Sequence, residues 1–362
     1  MIKVVWFAHR DALNPRAGGA ERSISEISSR LSYLGYEITV LSAGWKGCKI
    51  RDSFRGFQIQ RFSNNIGLHF YVPLYILKNR PDIIVNDLGH AVPWPSSIFL
   101  RKKGLVFFRH LHARSLPGQV NRFLALLITA VEKIYYILYH EYIFITESTT
   151  SVADLKRIGI KNSKIIRVSP GVNITLYKES EKTKEPTLVY FGGMRKYKRP
   201  VDVIGIFEQV QKEVPNTKLI LIGSGPELTN VKKMVDSKGI RDSVNFTGRV
   251  TDEQLASMVS SSWINLHTSQ TEGWGYSILE SSASGTPTVA YSVPGVVDAI
   301  EDGMNGIKVR DNDIDAFVNA VLKILKDPKP LWESSRKVAL KYSWDDTAKK
   351  WDEAIRKVIA NQ

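Results

Sequence analysis

Residues 264–280 read INLHTSQTEGWGYSILE, in which a short apolar strand leads through a turn with two glycines into a helix. Gly273 and Gly275 remove side chains from the turn, so backbone amides can face an anion there. The helix that begins near Tyr276 adds the positive end of its dipole. A strand, a glycine turn and a helix N-terminus in this order are typical of the ligand-binding edge of a parallel α/β sheet.

Two glutamates flank this turn. Glu272 precedes it, and Glu280 lies about one turn into the helix. Ionised carboxylates only accept hydrogen bonds, which suits them to pairs of hydroxyl groups on a sugar or a ribose. Two isolated glutamates at this spacing are usually solvated surface charges, but the glycine turn and its strand-to-helix setting favour a binding site. The sequence therefore predicts a diphosphate site with carboxylates beside it.

The same alternation of short β-branched runs and amphipathic segments extends over the whole chain of 362 residues. It is typical of parallel sheets with crossover helices, and the length is about twice that of a usual single domain. A polar stretch at residues 178–186 is predicted to link two α/β, doubly wound, Rossmann-like domains. The predicted strands are 2–7, 37–41, 83–85, 105–108, 142–145 and 165–168 in the first domain, and 188–191, 219–222, 244–246, 264–266 and 288–290 in the second.

The charge balance favours anionic partners. Fifty Lys and Arg against 36 Asp and Glu give a formal net charge of +14, which suits nucleotide phosphates, nucleic acid or an acidic membrane face. The basic residues are scattered, with short clusters at 101–103 and 195–199, and no RNA- or DNA-binding signature accompanies them. Nucleic acid is the weaker alternative, and we expect no nucleic-acid partner.

The expected location is cytoplasmic. The single cysteine, Cys48, cannot form an intrachain disulfide, and the N-terminal residues lack the pattern of a signal peptide. The longest apolar run, 123–131, is well short of the roughly 20 residues that span a bilayer. Continued to residue 142, the segment suits either a largely buried core helix, which layered folds favour, or a helix lying peripherally on an anionic membrane at the inner face.

A second glycine turn follows the first strand. Gly18 and Gly19 lie in it and allow close backbone approach, although a purely structural turn is an equal alternative. The turn lacks the GxGxxG spacing of a dinucleotide site, which argues against a nicotinamide enzyme. At the other end of the chain, Ser343 and Asp346 have the spacing of a capping box and predict a final helix.

At this point the sequence resembles the retaining glycosyltransferases of family 4, with the GT-B fold, whose E-x7-E motif is matched by Glu272 and Glu280. The resemblance implies an acceptor-side domain at 1–170, completed by a C-terminal helix at 344–362 that crosses back. It also implies a nucleotide-sugar-binding domain at 171–343, with a cleft between the two domains. Further segments that resemble the family, in the same order, are 18–22, 169–173, 222–227 and 246–250.

The resemblance also assigns roles to single residues. Glu280 would bond the ribose of the donor, Glu272 would hold the transferred sugar, and amides near Tyr276 would receive the diphosphate. The residues expected to bind the donor are Gly18, Gly19, Arg195, Arg199, Arg249, Val250, Gly273, Trp274, Gly275, Tyr276, Ser277 and Glu280, and those expected to act in catalysis are His110, Glu272 and Lys198.

In the first domain, His110 resembles the histidine that faces the reacting sugar. His112 is a near neighbour, and it is an even alternative that one of the two histidines only fills a polar loop. Asn86 and Asp87 end another strand and are expected to contact the acceptor, with a helix cap as the alternative.

One position departs from the family pattern. After the strand at 188–191 the family has an arginine, followed five residues later by a lysine, and both grip the donor diphosphate. Lys198 fits the lysine, but Gly193 stands at the arginine position. Arg195 is the nearest replacement because its forked side chain can reach the vacated site. The alternative is that Arg195 and Arg199 are solvated surface charges.

The sequence predicts no metal and no cofactor. It contains no His and Cys cluster with ligand spacing, and the resemblance likewise implies metal-independent transfer, in which the nucleotide diphosphate sugar is a co-substrate. The expected enzyme is a hexosyltransferase (EC 2.4) with a glycan or lipid-linked acceptor, and retention of anomeric configuration is implied by the resemblance alone. A nucleotide-sugar epimerase and a catalytically silent glycan-binding relative remain as alternatives.

Overall fold

The computed structural model describes residues 1–62, 64–89, 92–95, 104–112 and 121–360, apart from the side chain of Tyr136. The chain forms two compact units, Met1–Gly171 with Trp344–Gln362, and Val172–Ser343. The predicted basic cluster at 101–103 and the last residues of the predicted C-terminal helix, 361–362, lie outside the described residues.

Within the described residues, the first unit is built on an eight-stranded sheet whose strand order is β3-β4-β2-β1-β5-β6-β7-β8. Its strands are parallel except for the β3-β4 hairpin. The strands are β1 (Lys3–Phe7), β2 (Glu37–Ala43), β3 (Arg51–Phe54), β4 (Phe57–Phe62), β5 (Ile83–Asp87), β6 (Gly104–Phe108), β7 (Ile143–Thr146) and β8 (Ile165–Arg167), and the helices α1 (Gly19–Tyr33), α2 (Asn65–Asn79), α3 (Arg122–Leu138) and α4 (Thr149–Arg157) lie between them.

The second unit has a six-stranded, wholly parallel sheet with the order β11-β10-β9-β12-β13-β14. The order reverses between β9 and β12, and ligands of doubly wound sheets bind at such a switch point. The strands are β9 (Thr187–Phe191), β10 (Lys218–Ile222), β11 (Val244–Gly248), β12 (Ile264–His267), β13 (Thr288–Tyr291) and β14 (Gly306–Val309), and the helices are α5 (Pro200–Glu213), α6 (Leu228–Ser237), α7 (Asp252–Ser261), α8 (Tyr276–Ala283), α9 (Val296–Ala299), α10 (Ile314–Lys326) and α11 (Lys329–Ala339).

The predicted fold class is confirmed, and all the predicted strands are present. The β3-β4 hairpin and the edge strand β14 were not predicted from the sequence. The hairpin turns at Arg55 and Gly56, both with positive φ, and the strand before it is polar and half exposed. Short edge strands of this kind carry little hydrophobic periodicity, so the alternation that reveals the central strands does not reveal them.

The final helix, α12 (Trp344–Ala360), belongs to the first unit, as the resemblance implies. It packs on α1, β5 and β6. The ring of Trp351 lies 4.8 Å from that of Trp6 and 5.0 Å from that of Phe107. The last helix therefore closes one face of the first sheet.

The favoured prediction for residues 123–142, a largely buried core helix, is wrong for most of α3. Glu132 and Tyr135 are buried, but Phe123 is 78% exposed, and Leu126 and Ile137 are exposed as well. The helix thus buries one side and presents large apolar groups on the other. None of the described helices is both long and apolar enough to cross a membrane.

We expect Trp351→Ala to destabilise the first unit strongly, by about 3–5 kcal/mol, because truncating a buried Trp leaves a cavity against Trp6 and Phe107. Urea unfolding followed by circular dichroism measures this. The matched control is Lys350→Ala, which alters an exposed neighbour on the same helix. Equal unfolding midpoints for the Trp351 and Lys350 variants would contradict the packing role of Trp351.

Candidate functional site

The loop after β9 carries the expected cations, and the loop after β12 carries Glu272. Glu280, the second glutamate of the E-x7-E motif, follows in α8. Lys198 lies in the first loop and Glu272 in the second, and the Lys198 ammonium donates directly to Oε1 of Glu272. Both side chains are largely buried. The strand order therefore brings together two residues that stand 74 positions apart in the sequence.

Glu272 has further polar neighbours beyond this ion pair. The Ser269 hydroxyl donates to its Oε1 over 2.7 Å, and Nε2 of His267 lies 3.4 Å from the same oxygen. Burial favours the neutral acid, but the charge of Lys198 and the contact with His267 outweigh it and hold the pKa of Glu272 well below its usual value. Glu272 is therefore ionised at neutral pH.

Lys198 is charged for the same reason. Burial opposes its charge, but attraction to Glu272 is stronger and raises the pKa of Lys198 above its usual value. The lysine thus stands in the site as a cation whose partner is a carboxylate. A ligand phosphate can share this cation because an ammonium carries three donors.

The turn between Glu272 and α8 has the backbone that the glycines predict. Gly275 adopts φ +97° at the start of α8, a backbone conformation that residues other than glycine rarely adopt. The backbone N–H of Glu272 donates to the carbonyl of Pro294 over 2.9 Å, which fixes the beginning of the turn. The N-terminal amides of Tyr276 and Ser277 begin a helix of eight residues, so they supply the positive dipole end.

Glu280 and Trp274, both expected to bind the donor, are buried in different surroundings. Glu280 is buried within α8. Trp274 packs into the hydrophobic core of the second unit, with its ring 5.6 Å from that of Tyr342. A donor contact from Trp274 therefore has to come from its backbone rather than its indole.

The loop after β9 places the side chain of Arg195 next to Gly193, the position where the family has an arginine. A Cβ built on Gly193 would lie 3.9 Å from both Cγ and Nε of Arg195, which is ordinary contact distance, so the Arg195 side chain runs beside this position. Arg199 is engaged elsewhere: its guanidinium bonds Asp311 at 2.5 Å. Arg195 is exposed and Arg199 is half buried, so Arg195 is the more accessible of the two cations.

The segments expected near the base are held by close backbone packing. A Cβ on Gly223 would lie only 2.0 Å from the carbonyl oxygen of Gly192, which leaves no room for a side chain. Arg249 follows β11, and its Nε donates to the Ser224 hydroxyl over 3.1 Å, while Val250 is half buried beside it. The loops after β9, β10 and β11 thus form one continuous edge in the second unit.

In the first unit, the glycine turn at the start of α1 has an internal partner. The Gly18 N–H donates to the carboxylate of Glu21 over 2.8 Å, and Arg10 pairs with the same carboxylate at 2.9 Å. Gly19 is the first residue of α1. Glu21 therefore caps the helix from within, and a ligand that used the Gly18 amide would have to replace this bond.

His110 and His112 lie side by side after β6, with ring centroids 5.0 Å apart. The buried Glu132 of α3 accepts a hydrogen bond from the backbone N–H of His112, and its Oε1 lies 3.2 Å from Nδ1 of the same histidine. His112 is thus oriented by α3.

Asn86 and Asp87, at the end of β5, are buried and have internal partners. Asn86 donates to the carbonyl of Leu105 over 3.2 Å. Asp87 pairs with Arg109 at 2.7 Å and accepts from the N–H of Gly89. Their side chains therefore brace the end of this strand, and an acceptor contact remains a prediction.

Several polar residues at these edges were not predicted from the sequence to belong to the site. His267 and Ser269 contact Glu272, and their position after a buried strand was the available signal. The Asp-x-Asp spacing of Asp311 and Asp313 was missed as well; Asp311 pairs with Arg199 and Asp313 caps α10. Among the described residues, His, Cys, Asp and Glu form no group of three or more that could hold a metal ion.

Two family models together match most of the chain. Residues 17–176 match glycosyltransferase family 4, and residues 174–343 match glycosyl transferases group 1. A curated relative, the poly(glycerol-phosphate) alpha-glucosyltransferase of Bacillus subtilis, is 28% identical over 184 residues. This match covers 50% of the chain but only 27% of the relative, so the chain spans about a quarter of that protein.

Solved structures share the fold over nearly the whole chain. Sucrose-phosphate synthase from Thermosynechococcus elongatus superposes with a TM-score of 0.85 at 19% identity and covers 100% of both chains. The Anabaena protein HepE, in complex with UDP-glucose, superposes with a TM-score of 0.77 at 15% identity and covers 99% of this chain and 100% of its own. The structures show the GT-B fold, and the two family matches, which together span residues 17–343, show that the chain belongs to the glycosyltransferases described by the family 4 and group 1 models.

Proposed function

We propose that the chain transfers a hexosyl group from a nucleoside diphosphate sugar to a glycan or lipid-linked acceptor. The observation that carries this proposal is the buried Lys198–Glu272 pair beside the N-terminus of α8. It joins a cation for phosphate, a carboxylate for sugar hydroxyls and a dipole for the leaving group. The family resemblance adds retention of anomeric configuration, and the proposed setting is cytoplasmic.

The leaving group sets the main demand on the site. As the bond from sugar to phosphate breaks, negative charge grows on the bridging oxygen, and fixed donors aimed at that charge lower the barrier. The amides of Tyr276 and Ser277 and the ammonium of Lys198 are such donors. Because they are fixed by the fold, little reorganisation is needed at the moment of reaction.

Glu272 and Glu280 act on the two ends of the donor. Glu272 is ionised and already accepts a hydroxyl hydrogen bond from Ser269, so it is suited to accept one from the transferred sugar. Glu280, buried one turn into α8, would accept from the ribose hydroxyls. The proposed roles thus separate turnover, through Glu272, from nucleotide affinity, through Glu280.

The first unit would supply the acceptor side. His110 is the proposed residue that faces the reacting sugar, and His112 supports it as a ring neighbour held by Glu132. A relative with this fold binds UDP-glucose, and a curated relative is named as an alpha-glucosyltransferase, which supports a uridine-linked hexose as the first donor to try.

A thermal-shift screen of nucleoside diphosphate sugars tests the donor class. A ligand that binds only the folded state raises apparent stability by RT ln(1 + [L]/Kd). Product analysis with and without acceptor then follows. A sugar product formed without acceptor would instead indicate an epimerase, and binding without turnover on any acceptor would indicate a silent relative.

We expect Glu280→Ala to weaken nucleoside diphosphate binding by roughly 1.5–3 kcal/mol, the scale of a charged hydrogen bond. Glu272→Ala should mainly reduce turnover. Calorimetry of nucleotide binding and steady-state kinetics measure the two effects, with the exposed Glu213→Ala as a charge-matched control. Equal nucleotide affinity in the wild type and the Glu280 variant would remove the ribose assignment.

We also expect Arg195→Ala and Lys198→Ala each to lower kcat/KM about tenfold or more, which corresponds to roughly 1.4 kcal/mol of transition-state stabilisation. The reason is that one lysine rarely supplies all the positive charge for a departing diphosphate. Lys196→Ala, an exposed cation in the same loop, is the control. Normal kinetics for Arg195→Ala beside a crippled Lys198→Ala would show that Lys198 and the N-terminus of α8 suffice.

A further inference from the structure

Large apolar side chains are exposed along one side of α2. Ile66, Phe70, Leu74 and Leu77 are spaced so that they fall on one face of the helix, and Phe70 is 76% exposed. The opposite side of the helix is buried in the core of the first unit. Soluble proteins rarely expose so many large apolar groups together without a binding role.

The second helix, α3, repeats this arrangement. Its exposed apolar residues also fall on one face, and its buried residues fall on the opposite face, where Glu132 contacts His112. The exposed set comprises Phe123, Leu126, Leu127, Ile134 and Ile137.

Both helices cover the same side of the first sheet. Tyr75 of α2 and Tyr135 of α3 belong to one hydrophobic cluster, which also contains the sheet residues Phe7, Val106 and Phe144. Because both inner faces pack on this side of the sheet, both exposed faces lie on the outer side of the layer that the two helices form over it. We call the exposed apolar residues of α2 and α3 together the α2-α3 face.

The exposed charges on these two helices are all positive. Lys78 on α2 and Arg122 and Lys133 on α3 are exposed. The two helix sequences contain a single acidic residue, Glu132, and it is buried. Two helices that expose apolar side chains and cations but no carboxylate of their own are complementary to a bilayer with anionic headgroups.

The dimensions indicate a helix pair lying on the membrane rather than crossing it. At 1.5 Å per residue, α2 and α3 are about 22 and 26 Å long, less than the roughly 30 Å of a hydrocarbon core.

We propose that the α2-α3 face is a membrane-binding surface that inserts its apolar side chains into an anionic bilayer. Binding to the membrane is inferred from the two helices alone. Its use rests on the proposed function, because docking would hold the transfer site near a lipid-linked acceptor. Glu132 connects the two: its helix carries the docking face, and its carboxylate orients His112. The bilayer and the acceptor-side histidines thus meet the same helix from opposite sides.

Vesicle flotation tests the surface directly with the whole chain. The probes are vesicles of phosphatidylcholine alone and vesicles with about one third phosphatidylglycerol. The wild type is expected to float with the anionic vesicles. The double variant Phe70→Glu/Leu126→Glu should lower the vesicle-bound fraction about tenfold or more, because it puts carboxylates into the interface.

The matched control is Tyr33→Glu/Leu34→Glu, which adds the same charge at exposed apolar positions at the end of α1. The helix α1 packs with α12 on the other side of the sheet, so this variant should float like the wild type. Unchanged thermal unfolding of both variants shows that the fold is intact.

Failure of the wild type to float with either vesicle, or equal flotation of the Phe70 and Leu126 variant, would overturn the proposal. Dimerisation in analytical ultracentrifugation that this variant abolishes, without flotation, would assign the face to a second copy and overturn it too. Donor binding is scored separately, by the thermal shift with nucleoside diphosphate sugars. If the protein floats with anionic vesicles but shows no thermal shift, the membrane-binding proposal stands and the proposed function is contradicted.

Discussion

The buried ion pair between Lys198 and Glu272 is the interaction on which the second unit's site depends. A lysine and a glutamate taken out of water are costly unless each neutralises the other. The sheet meets this requirement by ending β9 and β12 as neighbours, so that their loops meet. The pair is consequently a preformed charge arrangement, and under the proposed function a phosphate and a sugar would replace the interactions that the two side chains now make with each other.

Around this pair, glycine residues determine how closely the backbone segments approach one another. Gly223 lets the loop after β10 touch the loop after β9, and Gly275 turns the chain into α8. Close backbone packing of this kind leaves amides and helix ends, rather than mobile side chains, to define the edge of the sheet. The first unit is organised differently, since its strand ends are filled by charged pairs such as Asp87 with Arg109.

The central strands and the E-x7-E turn were predictable from the sequence because buried parallel strands are continuous apolar runs and glycine turns are local signals. The partners of Glu272 were not, because contacts between His267, Ser269 and Glu272 depend on how a loop folds back. The composition of α3 suits a core helix and a surface helix equally well, and only the burial of Tyr135 and Glu132 shows which side is covered. Gly193 marked a departure from the family and Arg195 was the nearest cation in sequence, but the side-chain contact between the two positions depends on the fold of the loop.

The return of α12 to the first unit makes that unit discontinuous in sequence. The chain leaves it after Gly171, builds the whole second unit and comes back at Trp344. During synthesis, Trp6 and Phe107 therefore cannot make their contacts with Trp351 until α12 has been synthesised. The second unit is contiguous and can complete its core earlier. The strands of the first unit are thus made first, but the contacts of this unit with α12 can form only after the whole second unit has been synthesised.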